Sequence, residues 1–220
     1  MKLVIANKNY SSWSLRPWLV LSHFGIPFEE QQVLLSGEGW SDAIRAVSPT
    51  GRVPLLIDDD LVIPESIAII EYLAECFPDK PIWPADRRQR ALARAAAAEM
   101  HAGFSSLRRE APMNLRSSLP GRVAIDDVAD DLKRLELLWG GCLDRSGGPF
   151  LFGAFCAADA MFAPLASRLR TYELPTSDTA SRYVEAIYAL PAFQAWLAAA
   201  VVEPWTVEDD EIDVIQARAR

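Results

Sequence analysis

The chain has 220 residues, half of them hydrophobic and 24% charged, with a formal net charge of −8. This is the composition of a globular chain able to bury a sizeable core in one or two domains, and it excludes a disordered one. The negative balance argues against nucleic acid or an anionic membrane as a partner.

Residues 2–6 read as a short buried strand. Residues 13–24 read as a helix stopped by Gly25, with Pro27 behind it. A weakly alternating strand over 28–34 and a short helix over 40–47 follow. Leu55-Leu56-Ile57, Asp58-Asp59-Asp60 and Leu61-Val62-Ile63 read as a hairpin with an acidic turn. Ile67, Ile70, Leu73 and Ala74 make the apolar face of a helix from Glu65 to Cys76. The order is βαβαββα, which predicts a parallel pair of strands plus an antiparallel hairpin.

The texture then changes. Phe77 to Pro84 carries three prolines and cannot be a helix interior. The expected organisation is an α/β part over residues 1–78, a linker over 79–86 and an all-helical part over 87–220. Helical patterns cover 87–110, 122–146, 156–170, 178–189 and 191–200. The tail is acidic, Glu208-Asp209-Asp210-Glu211. Arg87, Arg88, Arg90 and Arg94 gather positive charge, but at helical spacing they read as a solvated face.

Cys76, Cys142 and Cys156 are widely spaced and form no C-x-x-C, so neither a disulfide framework nor a metal site is expected. The apolar run at the N-terminus is too short for a secretory leader, and no stretch approaches the ~20 apolar residues of a membrane span. The expected location is cytoplasmic.

Four stretches are candidates for chemistry. In Asn9-Tyr10-Ser11-Ser12-Trp13-Ser14-Leu15-Arg16, a serine stands where the first helix begins. It is either an ordinary N-cap or part of an anion site at the positive helix end. No G-x-S-x-G is present, and His23 and His101 lie far away in sequence, so a serine hydrolase is disfavoured. In Gly51-Arg52-Val53-Pro54-Leu55-Leu56, Pro54 is either a strand-entry proline or a cis proline that turns the Val53 N–H and C=O outward. In Pro64-Glu65-Ser66, Glu65 and Ser66 are either helix-start chemistry or a pair for the ammonium and carboxylate of an amino acid. Cys156-Ala157-Ala158-Asp159 has the spacing of a capping box, with cysteine in the cap position, and reads as structural.

Together and in this order, these features resemble the glutathione transferases over nearly the whole chain. The resemblance implies a thioredoxin-like N-terminal domain and a helical-bundle C-terminal domain, an enzyme of transferase type, a homodimer, and glutathione as cosubstrate. Glu65 and Ser66 would then hold the γ-glutamyl end, Val53 beside Pro54 the cysteinyl amide, and Arg52 the glycyl carboxylate. Serine-type members carry Ser-x-x-x-x-Arg at the first helix, which Ser11 and Arg16 match, with Ser12 as the alternative. The serine would donate a hydrogen bond to the thiolate. A charge-assisted bond of ~1.5–3 kcal/mol corresponds to roughly one to two pKa units. With the helix end, a thiol starting near 8.5 would reach about 6–7.

The zeta class, the maleylacetoacetate isomerases, carries Ser-Ser-Cys where this chain has Ser11-Ser12-Trp13, which sets its isomerase activity apart as the alternative reaction. A non-catalytic member that keeps the fold as an interaction surface is the other alternative. A glutathione-dependent oxidoreductase would need a cysteine at the helix tip, and residues 9–16 have none. A small hydrophobic electrophile is expected between the domains, near Trp13, Met100, His101, Phe104 and Arg108.

Overall fold

The computed structural model describes residues 1–35, 37 and 39–218. Strand β1 (Lys2–Ile5) is central in a four-stranded sheet of order β2-β1-β3-β4. It pairs parallel with β2 (Glu29–Gln32), Val4 opposite Gln31, and antiparallel with β3 (Leu55–Asp58), Leu3 opposite Leu56. β3 returns antiparallel into β4 (Leu61–Pro64). Leu3, Val4 and Ile5 are fully buried, as an unbroken apolar run without alternation requires of a strand covered on both faces. The hairpin turns at Asp59, whose φ of 53° is one that aspartate tolerates. Helix α1 (Ser12–His23) makes the parallel crossover, α2 (Trp40–Val47) precedes β3, and α3 (Ser66–Cys76) follows β4.

Residues 77–86 contain neither helix nor strand. They are still anchored: Ile82 is fully buried and its carbonyl accepts the Ala157 N–H at 2.8 Å. Helices α4 (Arg87–Ala102), α5 (Ser105–Glu110), α6 (Ile125–Ser146), α7 (Ala157–Thr171), α8 (Asp178–Ala189) and α9 (Pro191–Val201) follow. A 3₁₀ turn at Glu208–Asp210 and α10 (Ile212–Arg218) close the described chain. α7 is buried almost all round and packs on α1, α4 and α8, the position of a helix apolar on every face. No single helix among the described residues is long and apolar enough to cross a membrane.

The fold agrees with the predicted element order and differs in two places. The pattern over 87–110 is broken into α4 and α5 at Gly103-Phe104. Phe104 takes φ 56°, ψ 37° and buries its ring against Phe162, so tertiary packing overrides an alanine-rich helical run. A Cβ on Gly103 would lie 2.9 Å from the Glu99 carbonyl oxygen, which accounts for glycine at the break. The acidic tail, to which the sequence assigns no element, forms the 3₁₀ turn and leads into α10.

The capping box on α7 is present. Asp159 accepts the backbone N–H groups of Cys156 (2.9 Å) and Leu151 (3.0 Å) and the Tyr183 hydroxyl (3.1 Å). Burial raises the Asp159 carboxyl to about 6 and pushes the Cys156 thiol well up, so this cysteine is structural and unreactive. A hydroxyl is a better cap than a weakly accepting thiol, and the full worth of a serine cap over alanine is about 1 kcal/mol. Cys156→Ser is therefore expected to raise the melting temperature by about 2–4 °C. An unchanged or lower value in a thermal melt would contradict that role for the side chain.

Candidate active site

The loop after β1 delivers the serines. Ser11 is the N-cap of α1: its Oγ accepts the Ser14 N–H at a long 3.4 Å and donates to Ser14 Oγ at 2.8 Å. Ser14 Oγ in turn accepts the Ala6 N–H at 3.1 Å, which ties the helix start to the end of β1. Ser11 thus fills the capping role. The Ser12 hydroxyl has no hydrogen-bond partner among the described residues. The Trp13 N–H has none either, as expected at a helix N-terminus. Both serines are almost buried and line a cleft of about 640 Å³, shared with Trp13, Arg52 and Val53.

Val53, Pro54 and Glu65 line an adjoining cavity of about 550 Å³ that meets the first at Trp13, Arg52, Val53 and Arg108. The Val53–Pro54 bond is cis. No hydrogen bond among the described residues uses the Val53 N–H or C=O. An extended peptide-like ligand recognises such a backbone pair. Glu65 caps α3 with φ 81°, a backbone conformation that few residues other than glycine hold. Its Oε1 accepts the Ser66 N–H (2.7 Å) and Ser66 Oγ (3.3 Å), and its Oε2 lies 3.6 Å from His101 Nε2. Ser66, predicted to hold the γ-glutamyl end, is fully buried and lines neither cavity, and its hydroxyl donates to Glu65 instead.

The predicted electrophile residues divide. Trp13 and Arg108 line both cavities. His101 packs edge-on against Trp13 with ring centres 5.2 Å apart and faces Glu65. Met100 and Phe104 are buried in the core and line neither cavity, so core packing is their role.

Cations dominate this wall. Two guanidiniums pack on the Trp13 ring, with Arg16 Cζ 3.9 Å and Arg108 Cζ 4.7 Å from its centre. Arg16 is fully buried, and none of its three guanidinium nitrogens has a hydrogen-bond partner among the described residues. Burial pulls its pKa well down, and Arg168 and Arg108 add to the shift while Glu65 opposes it. Arg168, on α7, also lines the 640 Å³ cleft. It is held by Nε on the Ala111 carbonyl (2.8 Å) and Nη1 on the Pro164 carbonyl (3.3 Å), and burial lowers it to about 10. Arg108 is likewise lowered by burial.

Sequence reasoning missed a second group, which holds the serine loop from the far end of the chain. Glu203 accepts the backbone N–H groups of Lys8 (2.8 Å) and Asn9 (3.0 Å). Arg116 donates to the Tyr10 hydroxyl (2.7 Å) and the Glu203 carbonyl (3.0 Å), and Tyr10 donates to Glu211 in a short bond. Asp210 lines the 640 Å³ cleft. Burial raises its carboxyl to about 6. The one local signal was a glutamate, Glu203, between an apolar helical run and Pro204. Among the described residues, no cluster of His, Cys, Asp and Glu could hold a metal ion.

Residues 10–76, which carry Ser11, Val53 and Glu65, match the family model of the glutathione S-transferase N-terminal domain. A probable maleylacetoacetate isomerase from Caenorhabditis elegans is 31% identical, over 84% of this chain and 86% of the relative. The chain belongs to the glutathione S-transferase family. Two solved members of the family extend the likeness to the whole fold. A glutathione transferase homolog from Burkholderia, solved with bound glutathione, is 29% identical with a TM-score of 0.71, over 90% of this chain and 97% of its own. Maleyl pyruvate isomerase, a bacterial zeta-class member, is 26% identical with a TM-score of 0.72, over 94% of this chain and all of its own. The thioredoxin-like sheet followed by a helical bundle is thus the family's arrangement.

Proposed function

We propose that this chain binds glutathione along the joined cavities and uses its thiol on a small acidic electrophile. The unbonded N–H and C=O of Val53, on the wall between the Ser11–Ser12 corner and Glu65, carry this reading. They suit the cysteinyl amide, while Glu65 and the α3 N-terminus suit the charged γ-glutamyl end. Arg52 stands on both cavities and suits the glycyl carboxylate. Glutathione supplies the sulfur nucleophile. The chain supplies its environment: a serine hydroxyl and the unpartnered Trp13 N–H at the positive end of α1. Ser11 is the donor by its spacing to Arg16, and gives up its bond to Ser14 to serve. Ser12 is the second reading, favoured by a hydroxyl with no bond to break.

Arg108, Arg109 and Arg168 on the cleft favour an electrophile that carries a carboxylate, in addition to its hydrophobic part. The relatives named for maleylacetoacetate and maleyl pyruvate carry acidic substrates in their names. An isomerisation therefore stands beside conjugation, with Trp13 in place of the zeta cysteine. The family reading brings a cytoplasmic homodimer with it. The test is glutathione-dependent turnover of an unsaturated keto acid against a neutral aryl halide. Preference for the acid, reduced at least about tenfold by Arg168→Met, is expected. Equal turnover of the neutral substrate in both proteins would contradict the acidic specificity.

A further inference from the structure

The acidic run Glu208–Glu211 has no part in glutathione binding as described, yet it is tied down on both sides. Glu211 takes the Tyr10 hydroxyl in a short bond and Asn114 Nδ2 at 3.2 Å. Arg122 pairs with Asp213 and donates to Gln216 at 3.2 Å. These contacts lay the 3₁₀ turn along the cleft and make Asp210 the single carboxylate among the described residues on its wall. The Asp210 carboxylate makes no hydrogen bond or ion pair with any described residue, although its charge acts on Arg168 and its backbone N–H donates to the Val207 carbonyl at 3.0 Å. Arg168 is fixed by two carbonyls through Nε and Nη1, which leaves Nη2 without an acceptor among the described residues. A rigid cation and an unbonded anion therefore face one cavity, and any acidic ligand there feels both.

We infer that Asp210 is a specificity-determining residue for the second substrate: held in the cleft by the C-terminal strap, its carboxylate offsets the arginine wall and limits affinity for multiply charged anions. This rests on the acidic-electrophile reading above. The geometry gives a reason for a partly cationic pocket that still releases an acidic product. With Asp210 ionised, a dicarboxylate meets one repulsive charge at short range. With that charge removed, no carboxylate of a described residue on this cleft offsets the arginines, and Glu65 acts only from the adjoining cavity.

The test is calorimetric titration of the full chain with maleate, a small dicarboxylate, at pH 7.5. Asp210→Asn is expected to tighten maleate binding about five- to tenfold, the scale for one charge several ångströms away in a partly solvated pocket. Asp210→Glu, which keeps the charge, should stay near the wild-type value. Glu208→Gln is the control, since it changes net charge equally from an exposed position off the cleft. An equal gain in Glu208→Gln would reduce the effect to the general field and overturn the assignment. So would no gain in Asp210→Asn, or no maleate binding by any variant. Glutathione is titrated on the same samples. Its failure to bind the wild type would count against the function proposed above, whatever maleate does.

Discussion

Glu65→Ala is expected to weaken glutathione binding at least about tenfold while the fold survives, since a charge-assisted contact to the ligand's ammonium contributes ~1.5–3 kcal/mol. Glu65 is placed for that contact by its own backbone. With φ at 81° it stands out from the start of α3, half exposed on the cavity wall, with Oε2 turned toward His101. Alanine at this φ adds backbone strain, so Glu65→Gln is the companion variant: it keeps the shape and an acceptor for the Ser66 N–H and removes the charge. Both should lose affinity in a calorimetric titration, and a thermal melt separates loss of binding from loss of fold. Unchanged affinity in Glu65→Gln would remove Glu65 from the binding site.

The second large effect is at the α1 tip. Ser11→Ala is expected to raise the pKa of bound thiol by roughly one to two units and to slow turnover at neutral pH. Loss of a donor to the thiolate disfavours the charged form, so the shift is upward. Because Ser11 is also the N-cap, the same variant should lose about 1 kcal/mol of stability. Ser12→Ala removes a hydroxyl that caps nothing and bonds to nothing among the described residues, so its stability should hold. The two variants therefore separate the roles. A raised thiol pKa in Ser12→Ala, with only a lowered melting temperature in Ser11→Ala, would pass the activating role to Ser12.

What was legible in the sequence was local. Helices 40–47 and 178–189 fall on the residues expected because turn and cap residues bound them, as with Ser177 accepting the Ala180 N–H at 3.2 Å. Val53 and Glu65 were legible as candidates only through a combination of motifs, since each piece alone is ordinary turn or cap chemistry. The break at Gly103-Phe104 was hidden because its cause is the burial of Phe104 against α7, which no helical period records. Arg168 was hidden in the same way, as one arginine in a helix whose burial is set by its neighbours. The strap was the least legible part. Glu203 and Glu211 act on residues more than 190 positions away, and an acidic tail looks the same in sequence whether it is solvated or pinned.

The Ser11–Ser12 corner, Val53 and Glu65 are proposed to form one thiol-activating glutathione site. Calorimetric titration of the purified protein with reduced glutathione, followed by ultraviolet difference spectra of the complex across pH, tests it most directly. Saturable binding is expected, with a thiolate band already present at neutral pH and titrating at about 6–7. Absence of binding, or binding with the thiol titrating at its ordinary value near 8.5, would contradict it.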